Sequence, residues 1–266
     1  MEIDRKQLKR QAREAMAQAK PAPMLVVLVL SLFTLILTGL IQSLDGSLAA
    51  YRQIFDAVMA GKVPGIPNRS WTGGGVGWLL GVALEVMSIE LAVGFVIYCL
   101  QVWRRQPAGM GNLFDSFGMF FRSIWITVIP SILVSLWSMF YVVPVTALIV
   151  MTDSYIWLLL GLPLMIPMYM AIFGYSLSTF IMIENPGLNC FACIAMSKVV
   201  MRGYKWKRFV LDLSFLGWIL LCLIPVAGWI LYLWVRAYMQ TTYAGFYDIV
   251  MQEYMRRNAP PVEPMY

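Results

Sequence analysis

Residues 24–44 read MLVVLVLSLFTLILTGLIQSL, 21 positions without one charged side chain. As a helix this run rises about 31 Å, enough to cross the hydrocarbon core of a bilayer. Further apolar runs follow, at about Gly77–Trp103, Gly118–Met151, Tyr155–Ile183, Phe209–Pro225 and Trp229–Val250. A chain that is 60% hydrophobic and 13% charged holds more apolar surface than a globular core of 266 residues absorbs. The spacing predicts an all-α polytopic bundle of about six transmembrane helices. A single kinked helix over 209–235 is the alternative, with five crossings.

The polar segments divide by charge. Residues 3–19 place Ile3, Leu8, Ala12, Ala15, Met16 and Ala19 at helical spacing, with Lys6, Lys9, Arg10 and Arg13 on the other faces. That pattern predicts a basic amphipathic helix over 1–23 lying on an anionic membrane surface, ended by Pro21 and Pro23. Residues 45–76, rich in Gly and Pro, predict an external loop, with a short surface helix over 49–61. Residues 184–208 form a second basic segment: ENPG at 184–187 is a turn, and 188–202 reads as an amphipathic helix ending near Gly203. The tail 251–266 is proline-rich and expected to be disordered. With six crossings, sixteen Lys and Arg fall on one side and three on the other. The positive-inside rule then puts both termini in the cytoplasm. No cleavable leader is evident before the first run, so that run is expected to stay as a helix.

Composition restricts the chemistry. With no histidine, the commonest general base and metal ligand are missing. Cys190 and Cys193 form a C-x-x-C without a second pair, short of the four ligands of a structural zinc site. GGGVG at 73–77 lacks the spacing of a dinucleotide loop. No catalytic residue, metal or cofactor is expected, and the basic clusters beside apolar runs favour anionic lipid head groups over nucleic acid. The head-group candidates are Lys6, Lys9, Arg10 and Arg13 at the start, and Lys205, Trp206, Lys207 and Arg208 before the fifth run. Asp212 is one turn into that run, where it can reach back to the same cations.

Ionisable groups inside the runs are the remaining candidates, because each is costly at bilayer depth unless paired, hydrated or neutralised. They are Glu85, Glu90 and Arg236, with Gln240, Thr241 and Thr242 extending the polar surface along the sixth run. Counted from span starts near Gly77 and Gly228, Glu85 and Arg236 both lie about 12 Å deep, which predicts a pair. Glu90 is about 140° around the helix from Glu85, so a carboxylate pair for acid/base work is not expected.

Several stretches occur in an order that resembles a bacterial integral membrane family catalogued as domain of unknown function 975. They are LKRQAREAM, NLFDSFGMFFRS, IMIENPGL, SKVVMRGYKWKRFVLDLSFLGW and AYMQTTYAGFYDIV. The resemblance covers nearly the whole chain. It implies a helical protein of the bacterial inner membrane, related to the membrane domains attached to some glycerophosphodiester phosphodiesterases, and it transfers no activity. Two departures stand out: VVPVT where the family has an Ile-Pro-Gly turn, and Arg236-Ala237-Tyr238 where it tends to have Pro-Tyr. The expected role is binding or transport of a lipid or other amphiphile. An accessory or scaffold subunit for other membrane proteins is the alternative, and a membrane enzyme is least supported.

Overall fold

The computed structural model describes residues 4–44, 56, 59–60, 74–152, 154–157, 161, 163, 165–224 and 227–258. The external loop 45–76 and its short helix fall almost wholly outside the described residues, as does the end of the tail. Every regular element among the described residues is helical. Four stretches are long and apolar enough to cross a membrane: Pro23–Leu40, Leu79–Trp103, Met110–Thr152 and Ile166–Glu184.

Helix α1 (Arg5–Gln18) starts at Asp4, whose carboxylate accepts the Lys6 N–H at 2.9 Å as an N-cap. Its apolar stripe, Leu8, Ala12, Ala15 and Met16, is buried. That stripe packs on protein, against the third and last long helices, so it is not free to enter lipid as the sequence suggested. The chain turns at Pro21, whose carbonyl accepts the Tyr98 hydroxyl at 2.5 Å, and α2 (Pro23–Leu44) begins. Proline at its first position suits the start of a helix, where no N–H partner is required.

Helix α3 (Gly74–Trp103) ends in a reversal at Arg105, where the backbone is left-handed. The chain then folds back along α3 through two 3-10 turns, Met110–Leu113 and Asp115–Met119. Gly94 permits this return: a Cβ there would lie 2.1 Å from the Leu113 carbonyl oxygen. Helix α4 (Phe120–Thr152) carries Pro130 and Pro144 without interruption. Hydroxyls of Thr127, Ser131, Ser135 and Thr146 bond carbonyls one turn back, adding polar satisfaction within the apolar helix. The fourth run is a 3-10 turn at Tyr155–Trp157, then α5 (Ile166–Tyr175) and α6 (Ser178–Glu184), broken at Ser176–Leu177.

The turn at 184–187 and α7 (Cys190–Val200) follow the sequence reading, and Gly203 takes a positive φ of 88° at the reversal. The fifth run is not one helix. It divides into α8 (Lys205–Leu213) and α9 (Leu216–Leu221), bent at Ser214 and Phe215. Lys9 fixes that bend, donating to the Ser214 carbonyl at 2.9 Å with its ammonium 3.9 Å above the Phe215 ring. The chain then reverses into α10 (Ala227–Asn258). The two arms are antiparallel: Cys222 abuts Gly228, Trp218 meets Trp234, Phe215 meets Tyr238 and Arg208 lies over Tyr243. A kinked single helix over 209–235 is therefore not the structure. Helix α10 also continues through residues 251–258, where disorder was expected. Met251 and Glu253 are buried, and Arg256 and Arg257 bond back to Glu253 at the helix end.

Candidate functional site: an arginine-bearing cavity between α2 and the α9–α10 hairpin

Helices α3 and α10 run side by side in the same direction, with a fixed register. Gly245 receives the Trp103 ring so closely that a Cβ would lie 2.6 Å from it, and one step further Arg104 bonds Asp248. This register, an offset of 142 positions, puts Arg236 level with Gly94. Glu85 is then nine residues away, about 13 Å along the helix axis. No ion pair joins Glu85 to Arg236, and both side chains are exposed. The expectation of equal depth fails because the two helices do not start level.

Arg236 instead donates to the Tyr232 hydroxyl at 2.9 Å, one turn back on α10. It has no carboxylate partner among the described residues. Its guanidinium borders a cavity of about 670 Å³ between α2 and the tip of the α9–α10 hairpin. From α2 come Ser31, Thr34, Leu35 and Thr38; from the hairpin come Cys222, Trp229 and Tyr232. Ser31, Thr34 and Thr38 lie three and four residues apart, so their hydroxyls fall on one stripe of the helix. The Ser31 and Thr34 protons go to the carbonyls of Leu28 and Leu30, leaving oxygen lone pairs toward the cavity. The mouth is apolar: Leu35 is 55% exposed and Trp229 64%. One cation at the inner end of an apolar slot is a chemistry suited to an anionic head with a hydrocarbon body.

The other residues singled out from sequence are elsewhere. Thr241 and Thr242 are fully buried, and the Thr242 hydroxyl donates to the Tyr238 carbonyl at 2.7 Å, so neither extends the cavity. Gln240 is half-buried on the same turn, outside the cavity wall. Glu90 is fully buried beside Ser116 and Ser123. Those hydroxyls donate to the backbone carbonyls of Glu90 (2.8 Å) and Met119 (3.0 Å), and neither Glu90 carboxylate oxygen has a hydrogen-bond partner.

The basic residues separate likewise. Trp206 is 71% exposed, and Lys6, Arg10 and Arg13 face outward, Arg10 in a 3.0 Å pair with Glu14. Lys205 is half-buried, extending beside Gly174, and Lys207 lies over the Tyr204 ring. Lys9 is held in the fold, and burial, helped by Arg13 and Arg5, pushes its ammonium below the usual lysine range. Arg208 is buried, paired with Asp212 at 3.2 Å and stacked 3.5 Å over the Tyr243 ring. The expected reach of Asp212 toward the cations is thus met by Arg208, which is no longer free for a head group.

A network missed in sequence joins two helix ends to the middle of the C-terminal part of α10. Arg104 at the end of α3 binds Glu184 at the end of α6 and Asp248 on α10, the latter with both carboxylate oxygens (2.6 and 3.1 Å). Tyr247 donates to the same Glu184. Asp248 and Glu184 hold the Arg104 guanidinium even more firmly charged than usual. The signal was available as one Arg and two acids at predicted helix termini, but their meeting depends on packing.

A family model described as Protein of unknown function (DUF975) matches residues 1–254, and the chain belongs to that family. No curated protein and no solved structure matches it.

Proposed function

We propose that this protein is a non-enzymatic membrane protein that binds or moves an anionic amphiphile through the cavity at Arg236. The observation that carries the reading is a guanidinium with no carboxylate partner among the described residues, set in an apolar cavity of about 670 Å³. A guanidinium bonded only to a tyrosine hydroxyl beside apolar walls has donors left to meet an anionic ligand head. The apolar walls contributed by Leu35 and Trp229 suit an acyl chain. A cavity of this kind supports ligand handling over an accessory-subunit role, for which a sealed bundle would suffice.

The same reading includes six crossings of a bacterial inner membrane. Helix α2, α3, α4, the α5–α6 pair, the α8–α9 arm and α10 make one crossing each, and both termini are cytoplasmic. The charge bias supports it, as does the hairpin that returns α9 on α10. The relation to membrane domains of glycerophosphodiester phosphodiesterases that the sequence resemblance implies would fit a phospholipid-like ligand.

The test is binding of a fluorescent lysophospholipid to protein in neutral-lipid nanodiscs. Arg236→Gln is expected to weaken binding at least tenfold, and Thr34→Trp, which fills the slot, to abolish it. Wild-type affinity in both variants would overturn the assignment.

A further inference from the structure

A second, smaller cavity of about 400 Å³ opens where the end of α1 meets the end of α3. Buried Ala15 and Val102 line it on one side, and the exposed Lys20, Arg105 and Pro107 complete its lining. No carboxylate lines it. Neither cation is engaged in a hydrogen bond or an ion pair among the described residues. The neighbouring Arg104 shows that cations here can be paired, since it is tied to Glu184 and Asp248.

The backbone adds a second observation. Arg105 is the residue that ends α3, and it takes φ of 55°. Its N–H bonds the Val102 carbonyl, and the next N–H bonds Gln101 O at 2.9 Å, the six-to-one bond of a helix-ending turn. Glycine is the ordinary occupant of that position, because a Cβ costs about 1 kcal/mol there. A strained arginine where glycine is easier, with its side chain unpaired beside a cavity, directs attention to what its guanidinium could bind.

Position indicates what it meets. Lys20 is three residues before the first residue of α2, and Pro21 is tied to Tyr98. From Leu25 onward, α2 exposes large apolar side chains, so the cavity lies just outside the apolar belt, at head-group level. We infer that Lys20 and Arg105 form an anion site for a phosphate group, either on a lipid head or free in solution. Two cations 85 positions apart in sequence clamp the phosphate oxygens, with Arg105 supplying the planar fork of donors. The site is separate from the Arg236 cavity and does not depend on it.

Calorimetric titration of the full chain in neutral-lipid nanodiscs tests this with two probes, inorganic phosphate and dihexanoyl-phosphatidylglycerol. Arg105→Gly and Lys20→Gln should each weaken binding at least tenfold. Arg105→Gly should melt no lower than wild type, since glycine fits the φ. Arg236→Gln should leave phosphate binding unchanged, and the lipid titration is read in that background, because the Arg236 cavity would also take an anionic amphiphile. Binding of the lipid alone assigns the site to a head group; binding of phosphate as well assigns it to a free anion. No binding of either probe to the wild type, or unchanged affinity in both site variants, overturns the proposal.

Discussion

Helix α3 has two halves that live in different surroundings. From Leu79 to Ser88 its side chains are exposed or half-buried, whereas Glu90, Leu91, Val93, Phe95, Tyr98, Cys99, Leu100 and Val102 are all buried. Helix α10 repeats the division. Trp229, Ile230 and Tyr232 are exposed near its start, while Ala244, Phe246, Tyr247, Val250 and Met251 are buried further on. One end of the molecule has the interior of a water-soluble domain, with stacked rings such as Phe180 on Tyr247 at 5.0 Å and an ion-paired network at Arg104. The other end leaves its apolar side chains for a bilayer to cover. Packing between helices therefore holds the first end, and the lipid solvent holds the second.

The glycines test this division most severely. At the packed end, Gly94→Ala would set a Cβ 2.1 Å from backbone at Leu113, and Gly245→Leu would collide with the Trp103 ring. Each should destabilise by about 3 kcal/mol or prevent folding, read as lost thermal stability in detergent. At the other end, Gly39→Ala and Gly81→Ala meet nothing within 4 Å and should melt as wild type or slightly higher. Equal losses at both ends would break the comparison.

The two arginines give the next largest contrast. Arg104→Gln leaves Glu184 and Asp248 without their cation; after solvent screening of these partly exposed groups, about 2 kcal/mol is expected. Arg236→Gln removes only a bond to Tyr232, so stability should stay within about 0.5 kcal/mol while ligand binding falls. A large stability loss at Arg236 would mean that it is a structural residue.

The smallest effect concerns pH. Arg256 and Arg257 hold the Glu253 carboxyl below the usual carboxylate range. Its contribution is thus complete above the unfolded value and is lost as pH falls through the depressed one. Hydrogen exchange at residues 251–258 should accelerate on acidification, and Glu253→Gln should remove that pH dependence.

Much of the helical plan was legible in sequence, because apolar run length, the turn at 184–187, Gly203 and the reach of Asp212 back to one of three nearby cations all rest on local spacing. What depended on relative helix register was not. Glu85 and Arg236 were expected to pair because their spans were assumed to start level, and Gly245 against Trp103 sets a different offset. Thr241 and Thr242 were read as lining a polar surface, yet both are fully buried, and the Thr242 hydroxyl is used within its own helix. The cavity wall came from α2, whose Ser31, Thr34 and Thr38 are spaced for one face but carry no charge to draw notice. The apolar stripe of α1 was correct in its residues, but periodicity alone does not say whether protein or lipid covers it.

The close seat of Gly245 on Trp103 also makes α10 a lever with unequal arms. From that fulcrum, Trp229 at the cavity mouth is about 24 Å away and Asp248 is about 4.5 Å away on the other side. A tilt that widens the mouth by about 5 Å therefore moves Asp248 by only about 1 Å. The slot and the clasp at Arg104 therefore lie on opposite sides of one close contact, and a small tilt of α10 about it displaces Trp229 about five times as far as Asp248.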